Sequence, residues 1–325
     1  MKILLISFVV LCCSLKLSGQ AIFTQFESGI INASSSKKSQ PFGGISGIEN
    51  LGAKNWVLVS DRGYYFNCNN CSTISDFQLK IKQKEGKNTE HWFESVRYDA
   101  PTKTYFYSSE YEEDNISHTG VYRSMGSIDP HYEPNGAGSI LHLETLPSPN
   151  KGVEAIALTP SGKLWVAPEA GWEGEIGMTE NYVKFYRYGE PLQNNEKVEF
   201  KYPIRRFPEG SYPEDRPGGI AEILAIDETH LLVLERCYVA CPQDHVTAFL
   251  RNVTVDEENR ALIIGPNDAF DLNSIPGLCN VEGMAWGDEN KSTLYIIADD
   301  GFGSFHNNLN DKPTLKNQLI LLKKN

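Results

Sequence analysis

Carboxylates recur along this chain in a fixed setting. Glu94, Glu154, Glu222 and Glu282 occupy the same slot in Phe93-Glu94-Ser95-Val96, Val153-Glu154-Ala155-Ile156, Ala221-Glu222-Ile223-Leu224 and Val281-Glu282-Gly283-Met284. A further copy, Ile45-Ser46-Gly47-Ile48, carries serine there. Later in each copy a second apolar run ends in an acid: Asp61, Glu110, Glu169, Glu235 or Asp299, the last followed by Asp300. Arg62 and Arg236 directly follow two of these acids.

If these acids meet in space they cannot all stay ionised; some must take up protons, pair with cations or bind a metal. Hard oxygen donors in number favour calcium over zinc or copper, with Asp61, Glu94, Glu154, Glu222, Glu282 and Asp299 as the expected ligands. Glu282 and Asp299 are the expected catalytic pair, as ligands or base. Arg62 and Arg236 suit the oxygens of a phosphate or carboxylate through their forked donors. Two plainer readings compete. Each arginine can be an internal ion pair, and each slot glutamate can lock the fold by accepting backbone N–H groups from a neighbouring unit. His306 lies just past Asp300 and could act as a base, although a surface histidine accounts for it better. Trp92, Trp165, Trp172 and Trp286 are better explained by packing. No Gly-x-Ser-x-Gly elbow, His-Glu-x-x-His, P-loop or EF-hand loop occurs, so a hydrolase built here is expected to use a metal-activated water rather than a serine nucleophile.

The elements that must position these residues follow from the repeat. Each copy reads as two strands joined by turn-forming residues such as Pro160-Ser161-Gly162 or Asp99-Ala100-Pro101. A third strand is predicted at 77–82, 120–124, 182–188, 246–252 and 318–323, and a fourth at 140–143, 198–202 and 261–264. A four-stranded antiparallel unit cannot bury both faces alone, so radial stacking resolves the problem. The fold class is therefore an all-β propeller, with five blades by repeat count and six if the stretch 171–219 hides a degenerate one. The strand 22–26 could close the last blade. In such a blade the start of the first strand and the end of the second share one level, which brings the acids to one mouth of the channel.

Residues 1–20 read as a secretory signal, with Lys2 before an apolar stretch and a small polar exit at Ser18-Gly19-Gln20. Residues 21–325 are then expected to form a single domain, exported to the periplasm or secreted. No segment reaches the length of a membrane span. The formal net charge of −12 becomes more negative once Lys2 and Lys16 leave with the leader. Such a surface excludes nucleic acid as a partner. Five cysteines follow the leader, and the close pairs Cys68/Cys71 and Cys237/Cys241 could form small-loop disulfides, leaving Cys279.

These residues resemble the phytase-like family, also described by its esterase-like activity. The likeness rests on Gly44-Ile45-Ser46-Gly47 with Ser60-Asp61-Arg62-Gly63, on Glu154-Ala155-Ile156-Ala157-Leu158 before Leu164-Trp165-Val166, and on Ala221-Glu222-Ile223 before Leu232-Val233-Leu234-Glu235-Arg236. It continues through Asn280-Val281-Glu282-Gly283-Met284 before Ala298-Asp299-Asp300. Glu94-Ser95 departs from the usual Glu-Gly, and the cysteine pairs are outside the pattern. The resemblance implies a propeller, an exported location in many members, and hydrolysis of small-molecule esters or phosphate esters. Together with the carboxylates it leads to an expected exported, calcium-assisted hydrolase. A lactonase-type propeller and a non-catalytic propeller binding a ligand or protein are the alternatives.

Overall fold

The computed structural model describes residues 23–31, 42–83, 92–110, 120–126, 128, 152–169, 182–189, 197–204, 219–237, 247–301 and 316–325. The leader, the predicted strand 140–143, Trp172, Cys241 and His306 lie outside the described residues.

Strand β1 (Phe23–Ile30) pairs with no strand that follows it closely in sequence. Blade one contains β2 (Ile45–Gly52), β3 (Asn55–Ser60), β4 (Tyr65–Cys68) and the two-residue β5 (Lys82–Gln83). Blade two contains β6 (Trp92–Asp99), β7 (Thr104–Glu110) and β8 (Gly120–Met125). Blade three contains β9 (Val153–Leu158), β10 (Leu164–Pro168), β11 (Val183–Tyr188) and β12 (Lys197–Tyr202). Blade four contains β13 (Gly219–Ala225), β14 (His230–Cys237), β15 (Thr247–Asp256) and β16 (Ala261–Asp271). Blade five contains β17 (Asn280–Trp286), β18 (Thr293–Asp299) and β19 (Gln318–Lys324), and β1 completes it by running antiparallel to β19. Closing the ring with a strand from the other end of the chain covers an edge that would otherwise be open.

The inner strands β2, β6, β9, β13 and β17 adjoin one another in cyclic order, so β17 meets β2. Pairing within each blade is antiparallel; the sole parallel contact among the described strands joins the outer edges of blades three and four at Lys201 and Ala261. Five buried apolar clusters match the five seams of this ring. Val57 and Val59 meet Val96 and Tyr107 between blades one and two. Phe106 and Val121 meet Ile156 and Val166 at the next seam, and Trp165 and Phe185 meet Val233 and Val253 beyond it. Leu232 and Leu250 then meet Met284 and Ile296, and Ile297 and Leu319 meet Ile48 and Trp56. Both faces of a blade are thus covered, which is why β10 and, apart from Glu222, β13 are apolar without alternation and buried throughout.

One predicted strand is corrected. Residues 77–82 do not form the third strand of blade one; β4 does, and Ile74–Lys80 is a helix, α1. Thr73 caps it, accepting from the Asp76 amide while the Asp76 carboxylate accepts from Thr73. Its Phe77 packs on Trp56 and Tyr295, and a Cys68–Cys71 disulfide ties the preceding loop to β4. The expected pairing of Cys68 with Cys71 is therefore present. Cys279 is buried at the seam of blades four and five.

Candidate functional site: an acidic channel mouth

Each inner strand carries a β-bulge where it meets the mouth. The pairing register slips between Ile45 and Gly47, between Phe93 and Val96, and between Val153 and Ala155. It slips again between Ile220 and Glu222 and between Val281 and Gly283. The residues set off the ladder are Ser46, Glu94 with Ser95, Glu154, Ala221 and Glu282. A bulge re-aims the side chain it displaces, and here it delivers three glutamates to one end of the channel. Their carboxylates feel one another and the strand-ending acids: Glu94 faces Glu154, Glu110, Asp61 and Glu282, and Asp299 faces Asp61, Glu282 and Asp300.

Blade four breaks the expected pattern by one residue. Gly219 pairs with Arg236 just as Asn280 pairs with Asp299 and Trp92 with Glu110. Arg236 therefore takes the place of a strand-ending acid, and Ala221, not Glu222, fills the slot. The expectation that Glu222 and Glu235 join the other carboxylates is corrected by this register.

Glu222 lies in a separate network, fully buried. It accepts from the Ser95 hydroxyl at 2.9 Å, the Ile223 amide at 3.0 Å and Arg97 at 2.7 Å. Arg97, 3% exposed, also reaches Glu49 at 3.5 Å and donates to the carbonyls of Ile223 and Met284 at 2.7 and 3.4 Å. It thus ties blades one, two, four and five together across the channel. Burial pushes Glu222 up to about 7 and Glu49 up to about 8, with Arg97 opposing both. Glu235 instead accepts from Tyr202 at 2.5 Å and Arg251 at 2.9 Å, where blades three and four adjoin.

Arg236 is the internal counter-charge of the mouth. It donates to Glu282 at 2.6 Å and Glu154 at 3.3 Å and sits 3.9 Å from Glu169. The pairing of Arg236 is thus the internal ion pair that competed with substrate binding in the sequence. Asn280 donates to the other oxygen of Glu282. Arg62 stands differently: its side chain is 40% exposed, 3.8 Å from Asp61, with its guanidinium over the Trp92 ring at 5.7 Å.

Burial is the first cause of every raised acid here. Glu282 is pushed up to about 7 despite Arg236, and Asp61 to about 6 despite Arg62 and the Ser60 hydroxyl. Glu94, Glu154 and Asp299 lie well above the usual carboxylate range, because burial is reinforced by like-charged neighbours.

Among the described residues the backbone lock belongs to acids at or just past the ends of the second strands rather than to the slot glutamates. Glu110 accepts from the Gly152 amide at 2.9 Å, and Asp300 from Gly44 at 2.8 Å, each at the start of the next blade. A Cβ on Gly152 would lie 2.5 Å from Glu110, so glycine is required for that approach. Among the described residues no group of three or more His, Cys, Asp or Glu is arranged to hold a metal ion. The oxygen donors fit calcium in kind. Trp165 packs against Phe200, and Trp286 donates to the Ala225 carbonyl between blades five and four. The sequence assigns no role to Arg97, Ser95 or Asn280; the signals it carries are a cation, Arg97, within the apolar run of a channel strand, and Ser95 in place of the usual glycine.

Among solved structures, the chain is similar to a glucose dehydrogenase at 10% identity and TM-score 0.45, over 92% of this chain and 98% of that one. It is also similar to a putative oxidoreductase (glucose dehydrogenase) from Thermus thermophilus, at 7% identity and TM-score 0.45, over 91% and 99%. A luciferin-regenerating enzyme is 12% identical, with TM-score 0.42, over 87% and 92%. No curated protein matches the sequence. The model of the phytase-like family, described as esterase-like activity of phytase, matches residues 40–302, most of the ring described above, and the chain belongs to that family.

Proposed function

We propose that this chain is an exported hydrolase that cleaves small-molecule esters or phosphate esters at the acidic mouth. The observation that carries this reading is the division among neighbouring carboxylates. Glu282 is held by two donors, Arg236 and Asn280, whereas Asp299, on the paired strand, faces other acids and accepts from the Gly301 amide. Environments that push two acids apart suit one to accept a proton and the other to give one. Glu282 takes the proton from an attacking water, and Asp299 delivers one to the leaving oxygen. Arg62, open to solvent, supports the charge that develops on the acyl or phosphoryl oxygen. Family membership supports the reaction class. The Cys68–Cys71 disulfide supports an oxidising compartment.

The test is turnover of para-nitrophenyl phosphate and para-nitrophenyl butyrate, each with added calcium and with a chelator. Hydrolysis of at least one is expected, and Asp299→Asn should lower kcat about 100-fold or more. Absence of turnover with both probes under every metal condition would remove the reading. Opening of a lactone by a chain inert to both probes would favour the lactonase alternative.

A further inference from the structure

We propose that the mouth binds an organic cation, the ammonium or guanidinium group of a substrate, with Glu94 as its counter-charge. Glu94 is 8% exposed. Among the described residues its carboxylate receives no hydrogen bond and meets no cation, and the charges that face it most strongly, Glu154, Glu110, Asp61 and Glu282, all share its sign. A buried carboxylate in that position is disfavoured until an opposite charge reaches it.

The far side of the same ring shows what fits. There a guanidinium, that of Arg236, lies between the slot glutamates of the two flanking blades, 2.6 Å from Glu282 and 3.3 Å from Glu154. The spacing set by the blades accommodates a planar cation of that size. Beside Glu94 no described residue supplies one, because Arg62 is turned over Trp92. Calcium is the competing occupant. It takes roughly six to eight oxygens around one point, and the described acids offer no such gathering. An ammonium or guanidinium needs only one or two carboxylates, and the acidic chain draws cations toward the mouth.

The inference rests on the hydrolase reading only in assigning the cation to an ester substrate; binding is independent of it. Calorimetry on the full chain with agmatine and with L-arginine methyl ester should show binding of both. Glu94→Gln should weaken both by about 30-fold or more, Glu94→Asp less so, and Glu228→Gln in the half-buried connection between β13 and β14 should change neither. Melting curves establish that each variant is folded. Unchanged binding in Glu94→Gln, no binding to the folded wild-type chain, or calcium chloride binding at Glu94 to the exclusion of agmatine would each overturn the proposal. If both probes bind and the methyl ester is not hydrolysed, nor any other ester, the cation site stands and the hydrolase reading fails.

Discussion

Arg236 shows how much one side chain decides at the residue scale. It lies within 4 Å of Glu154, Glu169 and Glu282 at once, and those acids hold its own proton more tightly than usual. Removing one partner of a buried ion network leaves the others uncompensated, which costs more than the network itself contributes. Arg236→Met is therefore expected to lower stability by about 3 to 5 kcal/mol, read from urea denaturation. Arg236→Lys keeps the charge without the fork and should fall between. Equal stability of the Met variant and the parent would mean that the carboxylates have another counter-charge.

At the scale of the element, the bulge in each inner strand is the device that builds the mouth, and the seams between inner strands leave it little freedom. A Cβ on Gly283 in β17 would lie 2.6 Å from the Ser46 carbonyl oxygen and 2.9 Å from the Gly47 Cα of β2. Those are backbone atoms, so neither can swing aside. Gly283→Ala is expected to part blades five and one at the mouth and cost about 1 to 3 kcal/mol, measured as a lower thermal midpoint. A variant melting with the parent would show that the seam can yield without loss. Helix α1 illustrates the opposite case, in which a local signal prevailed over the repeat. The Thr73 cap with Asp76, and Phe77 directed at Trp56, turned a segment expected as a strand into a helix.

For the whole molecule, the consequence of burying so many acids is a stability that depends on pH in an unusual sense. Folding raises Asp61 to about 6, Glu222 and Glu282 to about 7 and Glu49 to about 8, whereas unfolded carboxylates titrate near about 4. Between those values the folded chain holds more protons than the unfolded one, so stability is lost as pH rises through this window. The urea midpoint is expected to be higher near about pH 5 than near about pH 8. A flat profile, or one rising with pH, would mean that bound cations or rearrangement neutralise the acids instead.

The sequence by itself determined the ring. Apolar runs at blade spacing, turns between them and a recurring acid gave the five inner strands, and the strand before the first copy was legible as the one that closes the last. Phe93-Glu94, Val153-Glu154 and Val281-Glu282 were read in the right slot because their bulges fall where the repeat places them. Only the tertiary structure decided which acid meets which. In blade four a one-residue offset, invisible in Ala221-Glu222-Ile223, sends Glu222 to Arg97 and puts Arg236 among the acids. The physical reason is that side-chain direction in a strand reverses at every residue and again at a bulge. Composition sets how many charges a propeller carries, but the register of each ladder settles whether a given charge faces the mouth, the channel or the seam.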